Sequence, residues 1–163
     1  MQRGSRARGI EVAELSWAGC SFPSDRLYDL DFDTWVSFVS QRTVVVGMTD
    51  FSQSRCGRLV HIGWKPVGRV VERGRPLAAL ESAKWVGPMR APLTGEIVDS
   101  NERAFATDIA LANRDPYGLG WFYRLQVASE AEGGELVDAQ SAFTFYRARI
   151  DESGLHCFRC VDP

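Results

Sequence analysis

The stretch Glu81-Ser82-Ala83-Lys84-Trp85 lies at the centre of a near-repeat in the sequence. On its N-terminal side, residues 68–74 read Gly-Arg-Val-Val-Glu-Arg-Gly, and on its C-terminal side residues 95–101 read Gly-Glu-Ile-Val-Asp-Ser-Asn. Each segment consists of a glycine, a β-prone run, and a final residue that tolerates a positive φ. Two such units joined by a short link predict a hairpin with Lys84 at its tip.

A lysine at an exposed hairpin tip is an attachment point that a modifying enzyme can reach. The alternative is an ordinary solvated loop lysine, and Lys84 taken alone would fit that interpretation. The duplicated segments on either side of Lys84 favour the attachment point.

Short β-prone runs occupy much of the remaining chain and are separated by turns rich in Gly and Pro. They are residues 34–39, 43–47, 58–62 and 121–127. A chain of many short strands predicts an all-β sandwich or flattened barrel.

Helices are a minor part of the predicted fold. Thr49 can cap one short helix that ends near Arg55, and residues 105–112 fit a brief helical turn. A C-terminal helix is predicted over residues 135–150, where apolar residues recur at steps of three and four. These are Leu136, Ala139, Phe143, Tyr146 and Ile150.

The predicted domain covers residues 26–150, after an irregular N-terminal arm (1–25) and before a short C-terminal tail (151–163). In the arm, Trp17, Phe22 and Pro23 can pack against the domain. A length of 163 residues with 45% hydrophobic residues suits one domain with a modest core.

Composition excludes several classes of function. A net charge of -2 and a pI near 5.7 provide no basic surface for nucleic acid. No apolar run has the length of a membrane span, and no apolar segment follows the Arg-rich start as in a secretory signal. We expect a cytoplasmic protein that binds neither nucleic acid nor membrane. The acid-free start, residues 1–9, leaves a mitochondrial presequence as an alternative.

Four segments resemble the glycine cleavage system H-protein family, in the family's order. They are Gly47-Met48-Thr49-Asp50-Phe51-Ser52-Gln53, Glu81-Ser82-Ala83-Lys84, Pro92-Leu93-Thr94-Gly95-Glu96 and Asn113-Arg114-Asp115-Pro116-Tyr117-Gly118-Leu119-Gly120-Trp121. The last segment is long and highly specific, and the resemblance covers roughly residues 26–150. It implies a lipoyl/biotinyl-type barrel-sandwich hybrid with short helices.

The resemblance also implies a function. Lys84 would carry lipoate through an amide bond, with Glu81 and Gly95 contributing to recognition by the lipoyl-attaching enzyme. The protein would have no catalytic residue, and its arm would carry an aminomethyl group between the glycine cleavage enzymes before dihydrolipoyl dehydrogenase reoxidises it. We expect a monomer.

Two departures from the family pattern lie near the expected arm. Asp33-Thr34-Trp35 stands where the family usually has His-Glu-Trp, and the residues after Lys84 are bulkier and stiffer than usual. We expect Trp35, Trp85 and Pro88 to form the environment of the arm. A changed environment suggests a changed cargo.

The chain has four cysteines, Cys20, Cys56, Cys157 and Cys160. The last two form a CxxC beside His156, but no second ligand pair completes a zinc site, so no metal is predicted. We interpret all four cysteines as candidate redox-active thiols, and Cys157 and Cys160 alternatively as part of a frayed tail. Cys56 fits a small core residue, and Cys20 has no evident use.

One branch of the family fits these departures better, namely the lipoate-binding proteins of heterodisulfide-reductase-like sulfur oxidation. The resemblance rests on the lead-in Gly19-Cys20-Ser21-Phe22-Pro23, the altered tip and the absent His. It implies sulfur intermediates as cargo and a heterodisulfide-reductase-like complex as partner. Aminomethyl transfer in glycine cleavage and an unmodified binding module of the same fold remain alternatives. Biotin is disfavoured, because Ala83 and Trp85 flank the lysine where biotin carriers have Met.

Overall fold

The computed structural model describes residues 13–128 and 133–160. Within them the strands are β1 (Glu14–Trp17), β2 (Cys20–Pro23), β3 (Leu27–Asp29), β4 (Thr34–Phe38), β5 (Thr43–Met48), β6 (Leu59–Trp64), β7 (Val70–Val71), β8 (Pro76–Ser82), β9 (Val86–Arg90), β10 (Gly95–Ser100) and β11 (Tyr123–Val127). The helices are α1 (Asp50–Cys56), α2 (Glu102–Thr107), α3 (Leu111–Arg114) and α4 (Ala139–Ser153).

The strands form three sheets. A six-stranded sheet has the order β3-β4-β5-β11-β10-β7, a three-stranded sheet has the order β6-β8-β9, and β1 pairs with β2. All neighbouring strands in these sheets are antiparallel. The predicted mainly β barrel-sandwich hybrid with short helices and a C-terminal helix is confirmed.

The two larger sheets share one hydrophobic core. Val44 and Leu125 from the six-stranded sheet meet Leu59 and Leu80 from the three-stranded sheet in the same cluster of buried residues. Alternate residues of a strand point to opposite faces, so Val44 and Val46 of β5 enter this core while Val45 does not. The shared core makes the β8–β9 hairpin a rigid part of the domain.

A second cluster lies on the outer face of β4 and β5. Trp35, opposite Gly47 in the register, packs there with Tyr117 and donates a 2.9 Å hydrogen bond to the Pro116 carbonyl oxygen. A side chain at Gly47 would lie 2.6 Å from the indole ring, so the glycine makes room for it. The Gly47 and Asn113–Trp121 motifs therefore meet at Trp35.

Helix α1 starts as predicted. The Thr49 hydroxyl accepts a 3.1 Å hydrogen bond from the Ser52 amide and donates a 3.0 Å hydrogen bond to the Asp33 carbonyl oxygen. The first contact satisfies a free amide of the first turn. The second fixes α1 against the turn that precedes β4.

The C-terminal helix starts later than predicted. It begins at Ala139, because the Asp138 carboxylate caps it by accepting a 2.8 Å hydrogen bond from the Ser141 amide. Leu136 precedes the helix, although it still packs against the main core. Helix α4 ends at Ser153, three residues after the predicted end. No helix among the described residues is long and apolar enough to cross a membrane.

The near-repeat is only partly symmetrical. Its two halves pair with each other, with Gly95 opposite Val71, but β7 has two residues and β10 has six. Gly74 has a φ of 85°, whereas Asn101 has a φ of -91° at the start of α2. The predicted equivalence of Gly74 and Asn101 is therefore wrong.

The described part of the N-terminal arm packs on the domain as predicted, but the predicted irregular structure is wrong. Residues 14–23 form the β1–β2 hairpin, and Phe22 is fully buried against Tyr146 of α4. Residues 1–12 lie outside the described part of the chain. Cys20 is bonded to Cys157, which is also buried, so the tail up to Cys160 packs on the domain rather than fraying.

Candidate functional site: the Lys84 hairpin and its cleft

Lys84 lies at the tip of the β8–β9 hairpin, as the sequence predicted. The Ser82 amide donates a 2.8 Å hydrogen bond to the Trp85 carbonyl oxygen and closes the turn. Ala83, Lys84 and Trp85 are exposed, while Ser82 is buried. The tip therefore presents its lysine to solvent from a fixed base.

Ser82 is a site residue that the sequence analysis missed. Its hydroxyl donates a 2.7 Å hydrogen bond to the Cys56 carbonyl oxygen and accepts one of 3.1 Å from the Trp85 amide. It thus satisfies the free Cys56 carbonyl at the end of α1 and also stabilises the turn through the Trp85 amide. Serine is a common turn-forming residue, and that was the available signal.

The lysine side chain runs along the chain that leaves α1. A Cβ on Gly57 would lie 3.0 Å from Lys84 Cε, and Gly57 has φ 84° and ψ -176°. Non-glycine residues rarely adopt this conformation. Asn113 holds the segment by donating a 2.9 Å hydrogen bond to the Gly57 carbonyl oxygen and accepting one of 2.9 Å from the Leu59 amide. The specific Asn113–Trp121 motif thereby supports the lysine.

A cavity of about 70 Å³, which we call the arm cleft, lies beside the tip. Its apolar lining is Phe32, Met48, Leu80, Trp85, Pro88 and Met89, and its polar lining is Asp33, Thr34, Ser52 and Arg55. The Trp85 ring lies over Gly87, where a Cβ would be 2.2 Å from it. A smaller cavity of about 50 Å³ shares Trp85, Ser52 and Arg55 and adds Cys56.

Among the described residues that line the arm cleft, Asp33 is the only carboxylate, and it is already paired. Arg55 Nη2 lies 3.0 Å and Arg149 Nη1 3.7 Å from its oxygens, and the Tyr146 hydroxyl donates a 2.8 Å hydrogen bond. Burial raises the pKa of Asp33 above 3.8, and the Tyr146 hydrogen bond and the two arginines oppose that rise. Its φ of 56° is uncommon for a residue other than glycine.

The residues expected around the arm divide into two groups. Trp85 and Pro88 line the arm cleft, but Trp35 is only 2% exposed and lies in the second cluster, on the face of β4 opposite to Thr34. Strand alternation explains the difference, because neighbouring residues point to opposite faces. Trp35 therefore shapes the site through its packing only.

The two residues expected to contribute to recognition by the lipoyl-attaching enzyme differ in solvent exposure. Glu81 is exposed near the tip, opposite His61 on β6 and Val86 on β9. Gly95 is buried at the start of β10, where a Cβ would be 2.7 Å from the Gln126 carbonyl oxygen. Gly95 therefore permits close strand packing, while Glu81 can contact another protein.

The cysteines lie at different depths. Cys56 is a buried free thiol in the main core; burial raises the pKa of this thiol, while Ser82 and Lys84 act in the opposite direction. Cys160 is a partly exposed free thiol, separate from the Cys20–Cys157 disulfide. No cluster of His, Cys, Asp or Glu suited to a metal occurs in the part of the chain that the structure describes.

Comparison with known proteins gives a consistent result. A family model described as "Glycine cleavage H-protein" matches residues 26–148. "Glycine cleavage system H protein 3" of Aquifex aeolicus is 40% identical over 149 residues, which is 89% of this chain and 92% of the relative. "Probable glycine cleavage system H protein 2" of Sulfolobus acidocaldarius is 40% identical over 144 residues, covering 87% and 96%.

A solved structure agrees with the sequence comparisons. The glycine cleavage system H protein from Mycobacterium marinum superposes with a TM-score of 0.66 at 33% identity, and the match covers 82% of this chain and 99% of that chain.

Proposed function

Because the chain belongs to the glycine cleavage H-protein family, we propose that it is a carrier protein with lipoate attached to Lys84. The observation that carries this proposal is the exposed lysine on a hairpin whose base is fixed by Ser82 and by the shared core. A rigid base with a mobile arm lets the arm visit successive partners without dilution into solvent.

The residues beside Lys84 fit an aliphatic arm. Met48, Leu80 and Met89 give the arm cleft an apolar lining, and Gly57 leaves room for the lysine side chain. When bound, lipoate supplies a disulfide that accepts and releases a substituent. The protein's own residues orient the arm and limit its contact with water, and the partner enzymes perform the catalysis.

The proposal implies specific partners. A lipoyl-attaching enzyme would read the tip through exposed Glu81, and dihydrolipoyl dehydrogenase would reoxidise the arm. We place the protein in the cytoplasm as a monomer.

Two cargoes are compatible with this role. Aminomethyl groups are the cargo that the family name indicates, with the glycine cleavage enzymes as partners. Sulfur intermediates, exchanged with a heterodisulfide-reductase-like complex, are the second candidate. The arm cleft favours the second, because its lining carboxylate is already paired with Arg55, so the described lining residues offer no free carboxylate to an ammonium group.

The test offers the lipoylated protein, in parallel, to a glycine decarboxylase with glycine and to a persulfidated sulfur donor. Adducts on the Lys84 peptide are read by mass spectrometry. Either adduct on the Lys84 peptide supports the carrier function. Sulfur adducts without aminomethylation support sulfur intermediates as the cargo. Efficient aminomethylation without a sulfur adduct would contradict the sulfur candidate, and absence of any adduct would contradict the carrier function.

A further inference from the structure

The hydroxyl of Thr34 is unusual among the polar groups of the arm cleft. Thr34 is 1% exposed and lines the cleft, yet its Oγ1 has no hydrogen-bond partner within the described residues. A buried hydroxyl without a partner is costly, and most buried polar groups are satisfied. The Thr34 hydroxyl therefore keeps an unused hydrogen-bond donor at the wall of the cleft.

Arg55 supplies a positive charge at the same cleft. Within the described part of the chain, its one hydrogen bond runs from Nη2 to Asp33, and about half of its side chain, 55%, is exposed. A guanidinium has five N–H donors, so most of its donors remain for a ligand. Its ring contact with Phe51, at 5.3 Å, leaves these donors free.

The charges near the cleft do not balance. Asp29, which is near Asp33, is neutralised by its ion pair with Arg73. Asp33 itself faces two guanidinium groups, Arg55 and Arg149, so the groups around Asp33 have one positive charge in excess. Glu152 lines the neighbouring cavity of about 270 Å³ together with both arginines, but it is exposed and does not line the arm cleft. Exposed charges are well screened by solvent and salt.

We propose that Arg55 and Thr34 form a binding site for an anionic sulfonate group carried on the arm, as an S-sulfonate. The guanidinium would pair with the sulfonate oxygens, and the Thr34 hydroxyl would donate the hydrogen bond that it lacks. An ammonium group would instead meet an arginine and no free carboxylate. The inference deepens the proposed carrier function, since it names the class of cargo.

The cargo can form without an added oxidant. The sulfur lone pair of sulfite attacks one sulfur of the arm's disulfide, so that a new S–S bond forms as the ring S–S bond breaks. The second sulfur leaves with the electron pair as a thiolate and takes a proton from water. The new S-sulfonate keeps its negative charge at neutral pH.

The first experiment needs no lipoate. The unmodified protein is titrated with the S-sulfonate of a short alkyl thiol and, separately, with an alkylammonium ion of equal length. NMR follows the Thr34 amide and the Arg55 Nε. We expect saturable shifts with the S-sulfonate only, and about tenfold weaker binding in Arg55→Gln and in Thr34→Val, because each loses a hydrogen bond to a charged group.

The variants separate binding from folding. Thr34→Val should not lower the melting temperature, because it removes an unpaired buried hydroxyl. Arg55→Lys should keep part of the affinity, and Arg69→Gln, at an exposed arginine outside the cleft, should keep all of it. Unchanged S-sulfonate binding in Arg55→Gln and Thr34→Val, or equal binding of the ammonium ion, would overturn the proposed anion site.

The second experiment uses the lipoylated protein. Sulfite is added over a concentration series, the reaction is quenched with acid, and the S-sulfonate on the Lys84 peptide is measured by mass. We expect the adduct at lower sulfite concentrations than in Arg55→Gln. If the native protein and Arg55→Gln form the S-sulfonate at the same sulfite concentrations, the proposed anion site is overturned, while the carrier function is unaffected. A protein that cannot be lipoylated would overturn the carrier function, while the titration above would still decide the anion site.

Discussion

The Ser82 hydroxyl donates a 2.7 Å hydrogen bond to the Cys56 carbonyl oxygen, which joins the lysine hairpin to the end of α1. Ser82 belongs to the three-stranded sheet, while α1 is capped by Thr49, which is bonded to the turn that precedes β4. The contact therefore fixes the position of the tip relative to the arm cleft. Buried hydrogen bonds of this kind specify one arrangement of the elements that they join.

Ser82→Ala should lower the free energy of unfolding by about 1–3 kcal/mol, because it leaves the Cys56 carbonyl buried without its partner. Hydrogen exchange of the amides near the tip should also become faster. Ser24→Ala, at an exposed serine between β2 and β3, is the control and should change little. Unaltered stability and exchange in Ser82→Ala would show that the contact does not fix the hairpin.

Gly57→Ala should destabilise the protein by about 1–3 kcal/mol, since the backbone conformation there suits only glycine. It should also slow lipoylation, because the new methyl group would press on Lys84 Cε. Gly68→Ala is the matched control: its φ is 93°, but nothing lies within 4 Å of its Cβ position. If both variants are lipoylated at the same rate, the lysine does not depend on the space at Gly57.

Asp33 should make stability depend on pH in a definite direction. Its pKa is raised in the folded state, mainly by burial, so the folded protein binds the proton more tightly than the unfolded chain. Its contribution is therefore greatest below the unfolded pKa of 3.8 and is lost as pH rises through the folded pKa.

The measurement compares the native protein with Asp33→Asn by urea unfolding from about pH 3 to about pH 8. The native protein's stability relative to the variant should fall as pH rises from about 4. An increase over the same range would mean that the arginines outweigh burial and lower this pKa.

The Cys20–Cys157 disulfide should stabilise the domain. It links residues 137 positions apart, so its reduction should lower the free energy of unfolding by about 2–4 kcal/mol. The Cys20→Ser, Cys157→Ser double variant should behave like the reduced protein and be insensitive to reductant. In the native oxidised protein, a thiol reagent should modify Cys160 before buried Cys56. Four thiols in the unfolded, unreduced chain would disprove the bond.

Much of the fold could be predicted because local signals agreed with it. The strand runs of β4 and β5, the Thr49 cap and the turn around Lys84 each follow from nearby residues. The start of α4 could not be placed, because Leu136 continues the helical spacing although Asp138 provides the cap. A cap can end an apolar pattern that periodicity alone would extend.

The site was predicted less completely, because its key relationships are distant in sequence. Ser82 meets Cys56, and Asp33 meets both Arg149 and Tyr146, across separations that no local pattern shows. The Cys20–Cys157 disulfide could not be predicted for the same reason, because the two cysteines are 137 positions apart. The local CxxC spacing instead suggested that Cys157 acts together with Cys160. Trp35 was predicted beside the arm, but the register of β4 directs its side chain to the opposite face of the sheet.

The central claim is that Lys84 alone carries the lipoyl arm, and intact mass tests it most directly. The native protein and Lys84→Arg are each incubated with lipoate, ATP and a lipoyl ligase, and their melting temperatures are compared to show that both are folded. The exposed side chain should allow Lys84→Arg to fold with a change below about 0.5 kcal/mol. The native protein should gain one lipoyl group, and Lys84→Arg should gain none. Lipoylation of the variant, or none in the native protein, would contradict the central claim.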